Sequence, residues 1–205
     1  MIDQVYELLW RNRGNVLTEE LINGICFSLE KMSKPKTATP LYKDVAPEVY
    51  MGYTLAAEPF SLILPELKHL HYLHWEEIQQ PGELNPNYEG YIERENAGLY
   101  CQFTLRKGPL LVGHLGAYLF ENQHTRTLAA REDTYFIRKE HRKGLLAVRL
   151  IHFAERAMMQ KGAQEFHASV KHKYPGAAKV LEFAGYIPVG TEFVKMLGEK
   201  SHVRT

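Results

Sequence analysis

The sequence predicts an α/β fold, a mixed central sheet flanked by helices and preceded by a helical extension. Three observations carry that prediction. Strand-like and helix-like stretches follow one another over residues 49–197 in the order β, α, α, β, β, β, α, β, α, β, β. Residues 133–162 join a strand to a one-sided helix through a basic turn. The composition, 45% hydrophobic and 24% charged over 205 residues, suffices for one well-packed domain with an appendage.

Residues 2–10 and 18–31 read as two helices around an RNRGN turn. Thr18 is placed to cap the second, with Glu19 and Glu20 in its first turn and Leu21, Ile25, Leu29 and Met32 as its apolar stripe. Packing on the core, a homodimer contact and a partner contact are all uses open to that stripe. Residues 33–48, rich in Pro, Lys and Thr, read as a linker. The chain therefore divides into an N-terminal extension and linker (1–45) and a main domain (46–205).

Residues 49–60 hold a first strand with Tyr50, Tyr53 and Leu55. Pro59 and Pro65 bracket the entry to a helix over about 65–79. That helix carries His69, His71, His74, Trp75, Glu76 and Glu77. His71, His74 and Glu77 share one side of it. Metal sites commonly draw on several elements or on His pairs four apart, so the spacing reads as a helix face, with no metal expected. After a turn cluster come a short helix (88–96), a strand (99–106), the Lys107-Gly108-Pro109 turn and a returning strand (110–120). Gly113 and Gly116 in that strand imply a bulge or a close backbone approach.

A loop at 121–126 leads through residues 127–133 into the strand Thr134, Tyr135, Phe136 and Ile137. The basic turn 138–143 ends at Gly144. The following helix repeats Leu146, Leu150, Phe153 and Ala157 on one face and stops at Gly162. A strand at 165–170, a polar loop, a helix at 176–184 stopped by Gly185, and a pair of short strands over 186–197 complete the chain.

Net charge is +1, which argues against a broad nucleic-acid or membrane field, although nucleic acid is not excluded as a partner. Cys26 and Cys101 form neither a disulfide framework nor a zinc spacing. No apolar run reaches ~18 residues and the N-terminus lacks the layout of a signal peptide, so a cytoplasmic location is expected. The turn before the 146 helix is an anion site by construction. Helix-start N–H groups lack partners, the macrodipole adds positive potential, and Arg142 and Lys143 flank them. A pyrophosphate is its natural guest.

HRKGLLAVRLIHFAE resembles the acyl-CoA signature of the GNAT superfamily of N-acetyltransferases, an Arg/Gln-x-x-Gly-x-Gly/Ala run after a strand. Arg142 aligns with the Arg and Ala147 with the last small residue. Leu145 falls where the first Gly belongs, and Gly144 lies one residue early. VLEFAGYIPVG resembles the family's closing helix and Gly-aromatic step. HWEEI with LNPNYEGY is similar to a bacteriophage-encoded subgroup. The resemblance covers roughly residues 50–197.

The resemblance implies acetyl transfer from acetyl-CoA to an amine on a small molecule or protein. The implied cofactor contacts are Phe136, Ile137 and Arg138 along the strand, and Arg142, Lys143, Gly144, Leu145, Leu146 and Ala147 at the turn. Trp75, Glu76 and Glu77 are implied substrate contacts. An amine acceptor must lose a proton before attack, and Glu132 and Asp133 are the nearest carboxylates to serve as base. The family often places a Tyr in the last helix to protonate the leaving thiolate. Leu181 stands there, so Tyr174 is taken for that role, with His167 as a substitute. A structural or virion-associated domain with little CoA binding, and a DNA-base modifier, are the alternative readings.

Overall fold

A computed structural model describes residue 18 and residues 40–79, 82–171 and 173–194. The expected N-terminal helices at 2–10 and 18–31 lie outside the described residues, apart from Thr18. Part of the expected linker is ordered, because residues 41–44 form a 3-10 turn with Leu41 buried. The first strand is a hairpin rather than one run. Strand β1 (Glu48–Tyr50) turns at Met51-Gly52, both with positive φ, into β2 (Tyr53–Ala57).

Helix α1 (Phe60–Ile78) starts five residues before the expected position. Pro65 therefore sits inside it, at the cost of one ladder hydrogen bond. Its N-terminus is closed from a distance: both carboxylate oxygens of Glu95 accept the N–H of Phe60 at 3.0 Å. Glu95 belongs to α2 (Tyr88–Asn96), which is capped locally by Asn87 accepting the N–H of Gly90. Strands β3 (Tyr100–Lys107), β4 (Leu110–Glu121) and β5 (Leu128–Ile137) follow, then α3 (Leu146–Gln160), β6 (Glu165–His167) and α4 (Pro175–Phe183). The strands lie in the order β1-β2-β3-β4-β5-β6, antiparallel throughout except for the parallel β5–β6 pair.

The sheet is covered on both faces. Phe60, Ile63, Leu67 and Leu70 of α1 pack on Tyr100, Leu111 and Phe136. On the other face Leu146, Leu150, Phe153 and Ala157 are buried against Phe103, Leu105 and Leu115, so the stripe read from the sequence is the core face of α3. Gly162 ends that helix at φ +96°. The expected strand pair at 186–197 is corrected over 186–194, which form no strand and expose Ile187, Val189 and Phe193; residues 195–197 lie outside the described residues.

Two details of the sheet position the site. The β4–β5 register passes from Gly116↔Thr134 to Ala117↔Glu132, so Asp133 is the extra residue of a bulge. A Cβ on Gly116 would lie 2.2 Å from the Tyr100 hydroxyl oxygen, which gives the close approach that glycine serves. The β5–β6 pairing stops at Arg131↔His167, whereas β5 stays on β4 as far as Ile137. The two parallel strands thus part, and the expected 165–170 strand is only three residues long.

Candidate active site

The cleft opens where β5 and β6 part. Leu115, Tyr135, Ile151, Phe166 and Leu181 line it, with Glu132 at its edge. Glu132 bridges the gap by accepting the N–H of Ser169 at 3.4 Å, just where main-chain pairing ends. Burial pushes its carboxyl up to about 7. The Tyr135 hydroxyl is buried without a hydrogen-bond partner among the described residues, and burial raises its pKa.

Strand pairing decides which backbone groups face the cleft. Arg138 N–H donates to Val112 O at 2.9 Å, so the backbone of Arg138, and by alternation that of Phe136, is turned toward β4. Tyr135 and Ile137 turn theirs to the open side. Of the expected strand contacts, then, Ile137 presents its backbone to the cleft, while Phe136 and Arg138 do not. Tyr135 presents its backbone there as well. Knowing the parity of the strand against β4 was the missing signal.

The basic turn ends at Gly144. Gly144 adopts φ +53° and Leu145 returns to φ −100°, with its side chain exposed. The loop therefore turns at Gly144, and Leu145 stands clear of the core. The N–H groups of Gly144, Leu145, Ala147 and Val148 find no backbone acceptor among the described residues, and α3 has no side-chain cap. The N–H of Leu146 is taken by Lys143 O. Lys143 is exposed beside them.

Arg142 is already engaged. Its Nε donates to Ile137 O at 2.7 Å, and its two terminal nitrogens donate to the two carboxylate oxygens of Glu77 at 2.8 Å each. The guanidinium holds the Glu77 carboxyl below its usual range. Tyr174 donates its hydroxyl to the backbone carbonyl of Glu77 instead of pointing into the cleft. Trp75 Nε1 donates to Gly82 O at 3.3 Å, and Glu76 accepts from the Tyr72 hydroxyl. The three expected substrate contacts at the end of α1 thus all have partners within the chain.

On the α2 side of the bulge, the Tyr91 hydroxyl donates to Asp133 at 2.8 Å. Tyr91 is itself stacked on Phe60, with ring centres 5.0 Å apart. Burial raises the Asp133 carboxyl while the Tyr91 bond and nearby Arg94 pull it back. The two carboxylates called as bases therefore lie on opposite faces of β5, Glu132 toward the cleft and Asp133 toward α2.

The histidines of α1 do not form one polar face. His69 is exposed, whereas His71 is buried against His114 of β4, ring centres 4.9 Å apart, and His74 stacks on Phe136. Among the described residues no group of three His, Cys, Asp or Glu side chains is arranged to hold a metal. No helix among them is long and apolar enough to cross a membrane.

Solved structures share this architecture. An aminoglycoside acetyltransferase from an uncultured soil metagenomic sample, solved with sisomicin, superposes with a TM-score of 0.61 at 15% identity, over 71% of this chain and 97% of the other. A ribosomal-protein-alanine N-acetyltransferase from Brucella melitensis gives 0.58 at 14% identity, over 71% and 99%. A GNAT family acetyltransferase from Staphylococcus aureus gives 0.55 at 18% identity, over 72% and 100%. No family model matches the sequence, and no curated protein does. The fold is that of the GNAT acetyltransferases.

Proposed function

We propose that this protein is an N-acyltransferase that moves an acetyl group from acetyl-CoA to an amine. The observation that carries the reading is the parting of β5 from β6, with β5 running on into a helix start whose N–H groups have no backbone acceptor among the described residues. The free edge of β5 at the cleft continues in the chain into the turn proposed as the anion site. Acetyl-CoA, when bound, supplies an activated thioester. The residues present fit its parts: the N–H groups at Gly144, Leu145, Ala147 and Val148 with Lys143 for the pyrophosphate, joined by Arg142, and the backbone of Tyr135 with the N–H of Ile137, whose carbonyl Arg142 holds, for the amides of the arm.

In the transfer, the amine nitrogen forms a bond to the acetyl carbon as the carbon–sulfur bond breaks. Asp133, held by Tyr91, or Glu132 at the cleft edge takes the proton that the amine loses. The Tyr135 hydroxyl, kept protonated by burial, is the donor toward the leaving sulfur in place of Tyr174, whose hydroxyl holds α1. The aminoglycoside and ribosomal-protein-alanine enzymes of like fold make an aminoglycoside and an alanine amine of a ribosomal protein the first acceptors to try.

A calorimetric titration with acetyl-CoA, followed by thiol release with each acceptor, tests the reading. Saturable binding and acceptor-dependent thiol release are expected. Absence of binding at millimolar acetyl-CoA would overturn it.

A further inference from the structure

Glu77 occupies the place where the phosphate reading calls for an anion. Its carboxylate takes both terminal nitrogens of Arg142, so the pair offers an incoming phosphate no net charge. The contact also ties three elements together. Glu77 lies in the last turn of α1, Arg142 precedes α3, and Tyr174 at the start of α4 holds the Glu77 carbonyl.

We propose that Glu77 is an internal competitor for Arg142, displaced by the pyrophosphate of the cofactor, so that cofactor binding releases the last turn of α1. This rests on the acyl-CoA reading above and adds a regulation to it. The exchange is local. Arg142 keeps its Nε bond to Ile137 O and its place over the Phe136 ring, 5.5 Å away, while its outer edge changes partner. It is also accessible, because the side chains are 39% and 21% exposed, so a ligand anion can reach the pair from solvent. A pyrophosphate brings more charge than one carboxylate and meets the α3 N–H groups as well.

The release has a consequence for the acceptor. Trp75 and Glu76 share that last turn, and His74 stacks on Phe136 beneath Arg142. With Glu77 let go, these groups can rearrange, so the acceptor face is completed after the cofactor has bound.

The experiment titrates the full chain with CoA, and separately with inorganic pyrophosphate, for the parent and Glu77→Gln. Amide hydrogen exchange is followed over residues 72–78. Removing the competing charge should tighten CoA binding several-fold, and pyrophosphate should follow the same trend. In the parent, CoA should speed exchange over 72–78; in the variant, exchange there should be fast already and change little. Parent binding with Glu77→Gln equal or weaker overturns the competitor and leaves the acyl-CoA reading standing. So does CoA slowing exchange over 72–78 in the parent, a result that does not depend on any variant folding. Failure of both proteins to bind CoA overturns both.

Discussion

Glu95 closes the N-terminus of α1 from 35 residues away, accepting the Phe60 N–H with both carboxylate oxygens at 3.0 Å. Its carboxyl is buried, and burial pushes it up to about 7. A raised carboxyl means that the folded state holds a proton the unfolded state has lost between about pH 4.5 and 7. Its contribution to stability is thus greatest at low pH and falls as pH rises through that window. Glu95→Gln keeps an acceptor and removes this dependence, so its melting temperature should gain on the parent as pH rises from 5 to 8. Glu95→Ala leaves the helix start without its acceptor and should cost about 1–3 kcal/mol. Thermal melts of the three proteins across pH check both.

The imidazoles act with the opposite sign. His114 is fully buried with neither ring nitrogen partnered among the described residues, and His71 packs on it. Burial lowers the pKa of both, that of His71 to about 4. The unfolded chain therefore binds the extra protons first. Stability is complete above about pH 6.5 and is lost as pH falls toward 4. His114→Leu removes a proton site and two unpaired nitrogens. The variant should lose less melting temperature between pH 7.5 and 5 than the parent. Equal losses in both would remove His114 as a source of acid sensitivity.

Why some of this was legible in the sequence and some was not has a physical answer. The α3 face, the Gly162 stop and the glycines of β4 are local or periodic features, so residues near one another in the chain reveal them. The start of α1 is not local: Phe60 was hidden behind Pro65 because its acceptor lies on another helix. His71 against His114 and Arg142 against Glu77 join residues 43 and 65 apart, and no spacing rule links such pairs. The expected strands fail over 186–194 because β propensity there meets no pairing edge in the described residues. Glu132 and Asp133 were expected at the start of a strand beginning at Thr134, yet β5 begins at Leu128, so they lie in its middle and alternate onto opposite faces.

Gly116 offers a packing test. A Cβ there would meet the Tyr100 oxygen at 2.2 Å and its ring at 3.0 Å, and that hydroxyl is fixed by donation to Gln102 at 2.7 Å. Gly116→Ala should destabilise by about 1–3 kcal/mol, as overpacking does. Adding Tyr100→Phe removes the nearest atom and should recover part of the loss. Denaturant unfolding of the single and double variants measures the recovery; none at all would place the strain elsewhere.

The turn at Gly144 decides how the departure from the family signature acts. Because Gly144 holds φ +53° and Leu145 is 42% exposed, the chain has already turned before residue 145. Leu145→Gly should then bring no gain in CoA affinity and a small loss, since a glycine beside the helix start is less ordered when free. Gly144→Ala forces a left-handed backbone on a side-chain-bearing residue at a cost of roughly 1–2 kcal/mol. It should weaken CoA binding by disturbing the aim of the N–H groups. Lys143→Glu reverses the charge beside those groups and should reduce affinity by roughly tenfold or more, a charge-assisted hydrogen bond being worth about 1.5–3 kcal/mol. Arg149, exposed further along α3 over the Tyr50 ring, lies beyond the first turn, and Arg149→Gln should change affinity far less. Calorimetric titration of the four variants with CoA ranks them; Leu145→Gly binding more tightly than the parent would show that the side chain crowds the phosphates after all.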